Sequence, residues 1–138
     1  MTGKVIVVDA NILIRAVLGT RVREMIAANA ANVRFFAPDV AWLDARTYLP
    51  ALLLKRAINH SSLETLDALE ILVESVAHDQ YAEFKANALK RISSRDPDDW
   101  PILASAMALA CPIWTEDKDF FGTGIATWTT DRIQLYFE

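Results

Sequence analysis

The 138-residue chain has a single cysteine, Cys111, and two histidines, His60 and His78. One thiol excludes both a disulfide framework and a cysteine-based zinc site within the chain. The histidines fall in separate segments without ligand spacing and read as surface residues. Four glycines and five prolines leave little material for linkers or low-complexity stretches, and no internal repeat is visible. No apolar run approaches the roughly 20 residues a membrane-spanning helix needs. The opening MTGKVIVVDAN meets an acid at position 9, which interrupts the apolar stretch of a secretory signal. The expectation is a cytoplasmic protein without membrane contact. A basic excess is also missing: 14 Lys and Arg stand against 18 Asp and Glu, a formal charge of −4. A module that grips nucleic acid through side-chain cations alone is usually basic. An acidic chain can still bind nucleic acid when divalent cations supply the positive charge.

Apolar residues are plentiful, at 53% of the chain, with a mean hydropathy of +0.18. This length suits one domain, residues 1–138, and not two well-buried cores. The apolar excess also predicts surface that a second copy or a partner covers.

Residues 5–8 form a β-branched run of the kind found in a strand buried on both faces of a parallel sheet. Helical patterns follow over residues 12–18, opened by Asn11, and over 21–29. A second strand at 34–37 is stopped by Pro38. From Asp39 the pattern is helical, with Val40, Leu43, Tyr48, Leu52 and Leu53 expected on one face, and Pro50 predicts a kink or break. Ser61 or Ser62 opens a helix to about Leu72, and residues 73–77 make a third strand. Asp79 opens a helix through Tyr81, Phe84, Ala88 and Ile92. Asp98 and Asp99 are expected to cap a helix over 101–110, with Pro101 in its first turn. Residues 111–115 form a fourth strand, 118–121 a helical turn closed by Gly122, 125–129 an edge strand and 131–136 a terminal helix. Strands alternating with helices predict an α/β fold: a mostly parallel sheet of four to five strands covered on both faces.

In such sheets ligands bind beyond the carboxyl ends of the strands. Asp9 and the acids of residues 116–119 stand at strand ends. Asp44 and Asp99 stand in early turns of helices entered from that side. Four sequence-distant carboxylates are thereby directed at one place, where they repel one another and favour protonation. Each has an ordinary reading as well: Asp9 as a turn or N-cap residue, Asp44 as a solvated helix position, Asp98 and Asp99 as caps, and Glu116, Asp117 and Asp119 as a charged loop. A hard divalent cation accounts for all of them together. Mg²⁺ and Mn²⁺ prefer oxygen ligands, and such an ion activates water and polarises a phosphoryl group.

The order and spacing of these blocks resemble the PIN domains. VVDANIL (7–13) is similar to the family's opening, where a strand delivers the first acid and a small polar residue follows two positions later. APDV (37–40) leading to Asp44 resembles the second block, RDPDDWPILA (95–104) the third with Asp99 at the acid position, and WTEDKDF (114–120) the fourth. The resemblance spans essentially the whole chain. It implies a three-layer α/β/α fold and a Mg²⁺- or Mn²⁺-dependent endoribonuclease, with small single-domain members resembling VapC-type toxins paired with an antitoxin. The second acid is usually glutamate in that family; here it is Asp44, one methylene shorter.

The resemblance assigns catalysis to Asp9, Asp44, Asp99 and Asp117; the rigid supports of Asp9 at a strand end and Asp99 at a helix start favour metal contact there, with Asp117, two residues after the fourth strand, sharing the ion. Asn11, Thr115 and Asp119 are supporting candidates. Arg15, Arg46, Arg95 and Trp100 are candidates for RNA contact, although tryptophans (Trp42, Trp114 and Trp128 included) more often pack in a core or dimer interface. RNA, a second copy of the chain and a cognate antitoxin are the expected partners. Two other functions compete. A haloacid-dehalogenase-like phosphatase shares the strand followed by Asp9, but needs a second aspartate where Asn11 stands. An inactive PIN-like binding or assembly module would need no complete acid set.

Overall fold

The computed structural model describes residues 3–56 and 62–138. Five strands form one sheet: β1 (Lys4–Val8), β2 (Val33–Pro38), β3 (Val73–Val76), β4 (Ile113–Trp114) and β5 (Thr127–Trp128), in the order β3-β2-β1-β4-β5. Every pairing is parallel, with Ile6 opposite Phe35 and Val8 opposite Trp114. The β-branched run of β1 sits at the centre, and Ile6, Val7 and Val8 are fully buried.

α1 (Ala10–Leu18) and α2 (Arg21–Asn29) connect β1 to β2, and α3 (Asp39–Lys55) and α4 (Ser62–Leu72) connect β2 to β3. Both crossovers step the same way across the sheet. The connection from β3 to β4 steps back through α5 (His78–Tyr81), α6 (Lys85–Ile92) and α7 (Trp100–Leu109). Parallel crossovers are right-handed, so opposite steps place α1–α4 on one face and α5–α7 on the other. The packing agrees: α1 contacts α2, α3 and α4, while α7 contacts α5, α6, β1 and β2. A short α8 (Ile133–Phe137) ends the chain, with Phe137 packed on Phe35 and Trp114. No helix among the described residues is long and apolar enough to cross a membrane.

Several local expectations are corrected. α3 is not broken at Pro50; it continues to Lys55. Pro50 lies on the exposed face, where water can satisfy the Arg46 carbonyl that loses its partner, while buried Ala41, Ala45 and Leu49 hold the helix on the core. The helix expected from Asp79 to Ile92 is interrupted by a 3-10 turn, Ala82–Phe84. Tyr81, at the junction, is fully buried and donates its hydroxyl to Asp39 Oδ1 at 2.6 Å. Asp98 and Asp99 do not cap α7 with their side chains. Asp96 provides the local cap, accepting from the Asp98 amide at 3.1 Å at the start of a 3-10 turn, Pro97–Asp99. Ser61, one of two expected helix starts, and His60 lie outside the described residues; the other candidate, Ser62, begins α4.

The sheet order reverses direction between β1 and β4. In open α/β sheets this switch point is where a crevice opens beyond the carboxyl ends of the strands, and β1 ends immediately before Asp9.

Candidate metal centre

Asp9 leaves β1 and caps α1, its Oδ1 accepting from the Ile12 amide at 3.0 Å. The N-cap reading of this residue is therefore correct, but it occupies only one carboxylate oxygen. Oδ2 accepts a short hydrogen bond from the hydroxyl of Thr115, the first residue beyond β4. The same hydroxyl oxygen accepts from the Asp117 amide at 2.9 Å, and Asp117 Oδ1 accepts from the Asp119 amide at 2.9 Å. Thr115 thus couples the loop after β4 to the end of β1. Glu116 turns the other way and accepts from the Thr130 amide at 2.6 Å.

Asp9, Asn11, Asp44, Asp98, Asp99 and Asp117 line one pocket, walled by Ile14, Val40, Ala41, Tyr48, Pro101 and Ile102. Asp9 is only 6% exposed. Burial raises its carboxyl to about 6; the Thr115 and Ile12 hydrogen bonds lower it, and the charges of Asp117 and Glu116 push it up again. Asp99 is raised to about 7, first by burial, then by the negative charges of Asp96, Asp117 and Asp9. Oδ2 of Asp99 is buried and has no hydrogen-bond donor facing it. Asp96, Asp99 and Asp119 also place one carboxylate oxygen each within 4.8 Å of one another. Asp99 is common to both groups.

A buried carboxylate oxygen without a donor is costly unless something positive faces it. The donor set consists of hard carboxylate oxygens, with no cysteine or histidine among them, which suits Mg²⁺ or Mn²⁺. The residues present therefore fit a divalent cation.

A model of the PIN domain matches residues 7–138. The chain belongs to the PIN-domain family. Among curated proteins, none matches its sequence significantly. Solved structures that resemble it include VapBC2 from Rickettsia felis bound to a DNA fragment from its promoter. That match has 12% identity and a TM-score of 0.65, covering 91% of this chain and 98% of that one. A toxin-antitoxin complex from Klebsiella pneumoniae matches at 19% identity and TM-score 0.63, covering 90% and 96%. VapBC-1 from nontypeable Haemophilus influenzae matches at 20% identity and TM-score 0.56, covering 92% and 98%. At these identities the likeness concerns the fold.

Membership in the PIN family sets aside the phosphatase reading, and Asn11 takes its place in the pocket as part of α1. Of the expected acids, Asp9, Asp44, Asp99 and Asp117 meet in the pocket, whereas Asp119 stands behind Asp99 beside Asp96. Asp44 is exposed on α3 at the rim. Asp96 was not singled out from the sequence. Its signal was the Asp-Pro pair three residues before Asp99, the pattern of a cap whose carboxylate then crowds the next acid.

The expected RNA-contacting residues are dispersed. Arg46 is ion-paired with Asp67 (2.8 Å) and Glu70 on α4 and does not line the pocket. Arg95 donates to the Lys118 carbonyl at 2.7 Å. Trp100 is half-buried among His78, Tyr81 and the Lys85 ammonium. Only Arg15 borders an opening that adjoins the acids. Trp42 and Trp114 are core residues, and Trp128 packs against Tyr136.

Proposed function

We propose that this PIN domain is a metal-dependent endoribonuclease acting as the toxin of a toxin–antitoxin pair, a cytoplasmic protein neutralised by a cognate antitoxin. The observation that carries the nuclease reading is the buried, donor-free oxygen of Asp99, a residue that lines one pocket with four other aspartates, Asp9, Asp44, Asp98 and Asp117. The toxin reading rests on family membership and on fold likeness to toxin–antitoxin complexes.

Asp9, Asp99 and Asp117 would hold Mg²⁺ or Mn²⁺, and Asp44, exposed at the rim and short by one methylene, would act through water. When bound, the ion supplies Lewis-acid activation of water and of the scissile phosphodiester. The chain's own residues then have separate tasks. Thr115 fixes the orientation of Asp9 and the path of the loop carrying Asp117. Asn11 offers an amide to a water or to a phosphate oxygen. Asp119 and Asp96 add negative charge behind Asp99 and strengthen its demand for a cation. An inactive binding module has no use for an intact acid set whose mutual repulsion destabilises the chain.

The domain is further proposed to form a homodimer. Leu43 and Leu54 on α3 are 63% and 84% exposed and lie on nearly the same face, with Ile71 of α4 83% exposed. Part of the face first expected, reaching residue 58, lies outside the described residues. Light scattering at micromolar concentration checks this.

The central test is incubation of total bacterial RNA with the purified protein in Mg²⁺ or Mn²⁺, beside an Asp9→Asn variant and an EDTA control. Cleavage by the wild type alone, abolished by EDTA, is expected. Undiminished cleavage in excess EDTA rejects the mechanism.

A further inference from the structure

Two helices wall a groove that begins at the acids. α1 presents Asn11, Ile14, Arg15 and Leu18 to it, and α3 with its C-cap residue presents Asp44, Tyr48, Leu52 and, at the cap, Arg56. On α1 these positions follow the i, i+3, i+4, i+7 spacing of one helix face. On α3 they form a single i+4 row, about 18 Å from Asp44 to Arg56 at 1.5 Å per residue. Three openings adjoin along this path: the acid pocket shares Asn11, Ile14 and Asp117 with the next, which shares Arg15, Leu18 and Arg56 with a third containing Arg21. The groove thus changes sign along its length, from carboxylates to guanidinium groups.

The arginines at its far end are distinguished by what they lack. Of nine arginines, six have side-chain partners: Arg21 on Asp131, Arg34 on Glu74, Arg46 on Asp67 and Glu70, and Arg23, Arg91 and Arg95 on backbone carbonyls. Among the described residues Arg15, Arg56 and Arg132 have none; all three are exposed, and only Arg15 and Arg56 line the groove. The nearby carboxylate of Glu116 is engaged by the Thr130 amide. Two uncommitted arginines on one groove of an acidic chain form a local site for anions. Tyr48, 59% exposed, stands on the row between them and the acids.

We propose that this groove is the track of the RNA strand flanking the cut: phosphates seat on Arg15 and Arg56, and a base stacks on Tyr48. This rests on the nuclease reading and adds where the substrate runs. A phosphodiester at the acid centre belongs to a chain that must continue in some direction, with one negative charge at each link. The guanidinium fork matches a phosphate, and an aromatic face binds any base without reading its sequence. An acidic peptide would also pair with the arginines, but it carries no phosphodiester for the acid centre to act on. A metal-neutralised centre draws a phosphate chain through both ends.

The test uses the RNA that the wild type cuts when total bacterial RNA is screened with Mn²⁺. Steady-state cleavage is compared for wild type, the Arg15→Ala/Arg56→Ala double variant, Tyr48→Ala, Tyr48→Phe, and Arg132→Ala, a partnerless arginine outside the groove. The double variant is expected to raise KM about tenfold with kcat nearly unchanged, as loss of uniform binding requires. Its log–log salt dependence should be shallower by about 1.4, from two phosphate contacts at about 0.7 each. Tyr48→Ala should raise KM while Tyr48→Phe and Arg132→Ala do not. Trimming the RNA to a short oligonucleotide around the cut should erase the difference between wild type and double variant. Wild-type KM and salt slope in the double variant overturn the groove while leaving the nuclease intact. Loss of partner-protein capture with unchanged RNA kinetics also overturns it and makes the groove a protein interface. If the wild type cuts no RNA, the nuclease reading fails and the groove falls with it.

Discussion

Asp9 and Thr115, 106 residues apart in the chain, meet through a buried hydrogen bond in which the threonine hydroxyl donates to Oδ2 of the aspartate. The bond has a direction. The hydroxyl proton is committed to Asp9, so its oxygen is left to accept from Asp117. One side chain thereby orients an acid from β1 and another from the loop after β4.

Thr115→Val keeps the shape and removes both bonds. It is expected to lower cleavage or metal affinity 10- to 100-fold, the range typical of groups that orient metal ligands, and to shift the Mn²⁺ midpoint upward. Thr115→Ser should restore most of the loss. A valine variant with the wild-type Mn²⁺ midpoint would show that Asp9 and Asp117 hold their places unaided.

Aspartate-to-asparagine replacements should rank by closeness to the ion. Asp9 and Asp99 are expected to cost most, Asp117 next, then Asp44 and Asp119. Asp44→Glu should keep or improve activity, because the added methylene extends a carboxylate now exposed at the rim. Rates at saturating Mn²⁺ decide the order. If Asp44→Asn is as harmful as Asp9→Asn while Asp44→Glu is dead, Asp44 is a tightly fitted direct ligand.

The metal-free protein should lose stability as pH rises. Asp9 is raised from 3.8 to about 6 and Asp99 from 3.8 to about 7, so between these values the folded chain binds more protons than the unfolded one. Stability from these two groups is greatest below about pH 4 and declines as pH passes their folded values. The decline from buried Asp9 alone is on the order of 3 kcal/mol. Urea midpoints in EDTA across pH 4–8, taken as the difference between wild type and Asp9→Asn, isolate it. Mn²⁺ should reverse the loss at pH 8 and have little effect near pH 4, where protons occupy its ligands. A wild-type-minus-variant difference that stays flat with pH contradicts the placement of Asp9.

Ala110 ends α7 in the left-handed conformation, at φ 52° and ψ 51°, and its amide closes the helix onto Ala106 and Met107. A side chain there carries a cost that glycine avoids, about 1 kcal/mol. Ala110→Gly should therefore raise the thermal midpoint by a few degrees and leave cleavage untouched. A lower midpoint would mean that the Ala110 methyl group contributes more through packing than its backbone conformation costs.

The parts of the molecule legible in the sequence are those set by local pattern. The run at Val5, Ile6, Val7 and Val8 announced the central strand, and four acids at strand ends and helix starts announced the pocket before any topology was known. Features settled by long-range contact were hidden. Pro50 predicts a kink or a break; the helix is not broken, because the buried side of α3 outweighs one lost hydrogen bond. Tyr81 interrupts its helix because its hydroxyl reaches Asp39, 42 residues earlier. Arg46 looks available for RNA in the sequence, but α4 brings Asp67 and Glu70 against it, whereas Arg56, which no motif marks, has no side-chain partner among the described residues. The local pattern gives the cap to Asp98 and Asp99; Asp96 takes that role, and its charge presses on Asp99 through a fold that pattern does not show.

The central strand takes its two neighbours from distant parts of the chain: β1 pairs with β2, made soon after it, and with β4 at residue 113. During synthesis Asp9 emerges early and waits. Its hydroxyl partner Thr115 follows 106 residues later, with Asp117 just behind it, so a nascent chain stopped short of Thr115 has no assembled acid centre. For the proposed ribonuclease this order means that cleavage cannot begin until residues through Asp119 have emerged, so translation itself delays the onset of activity.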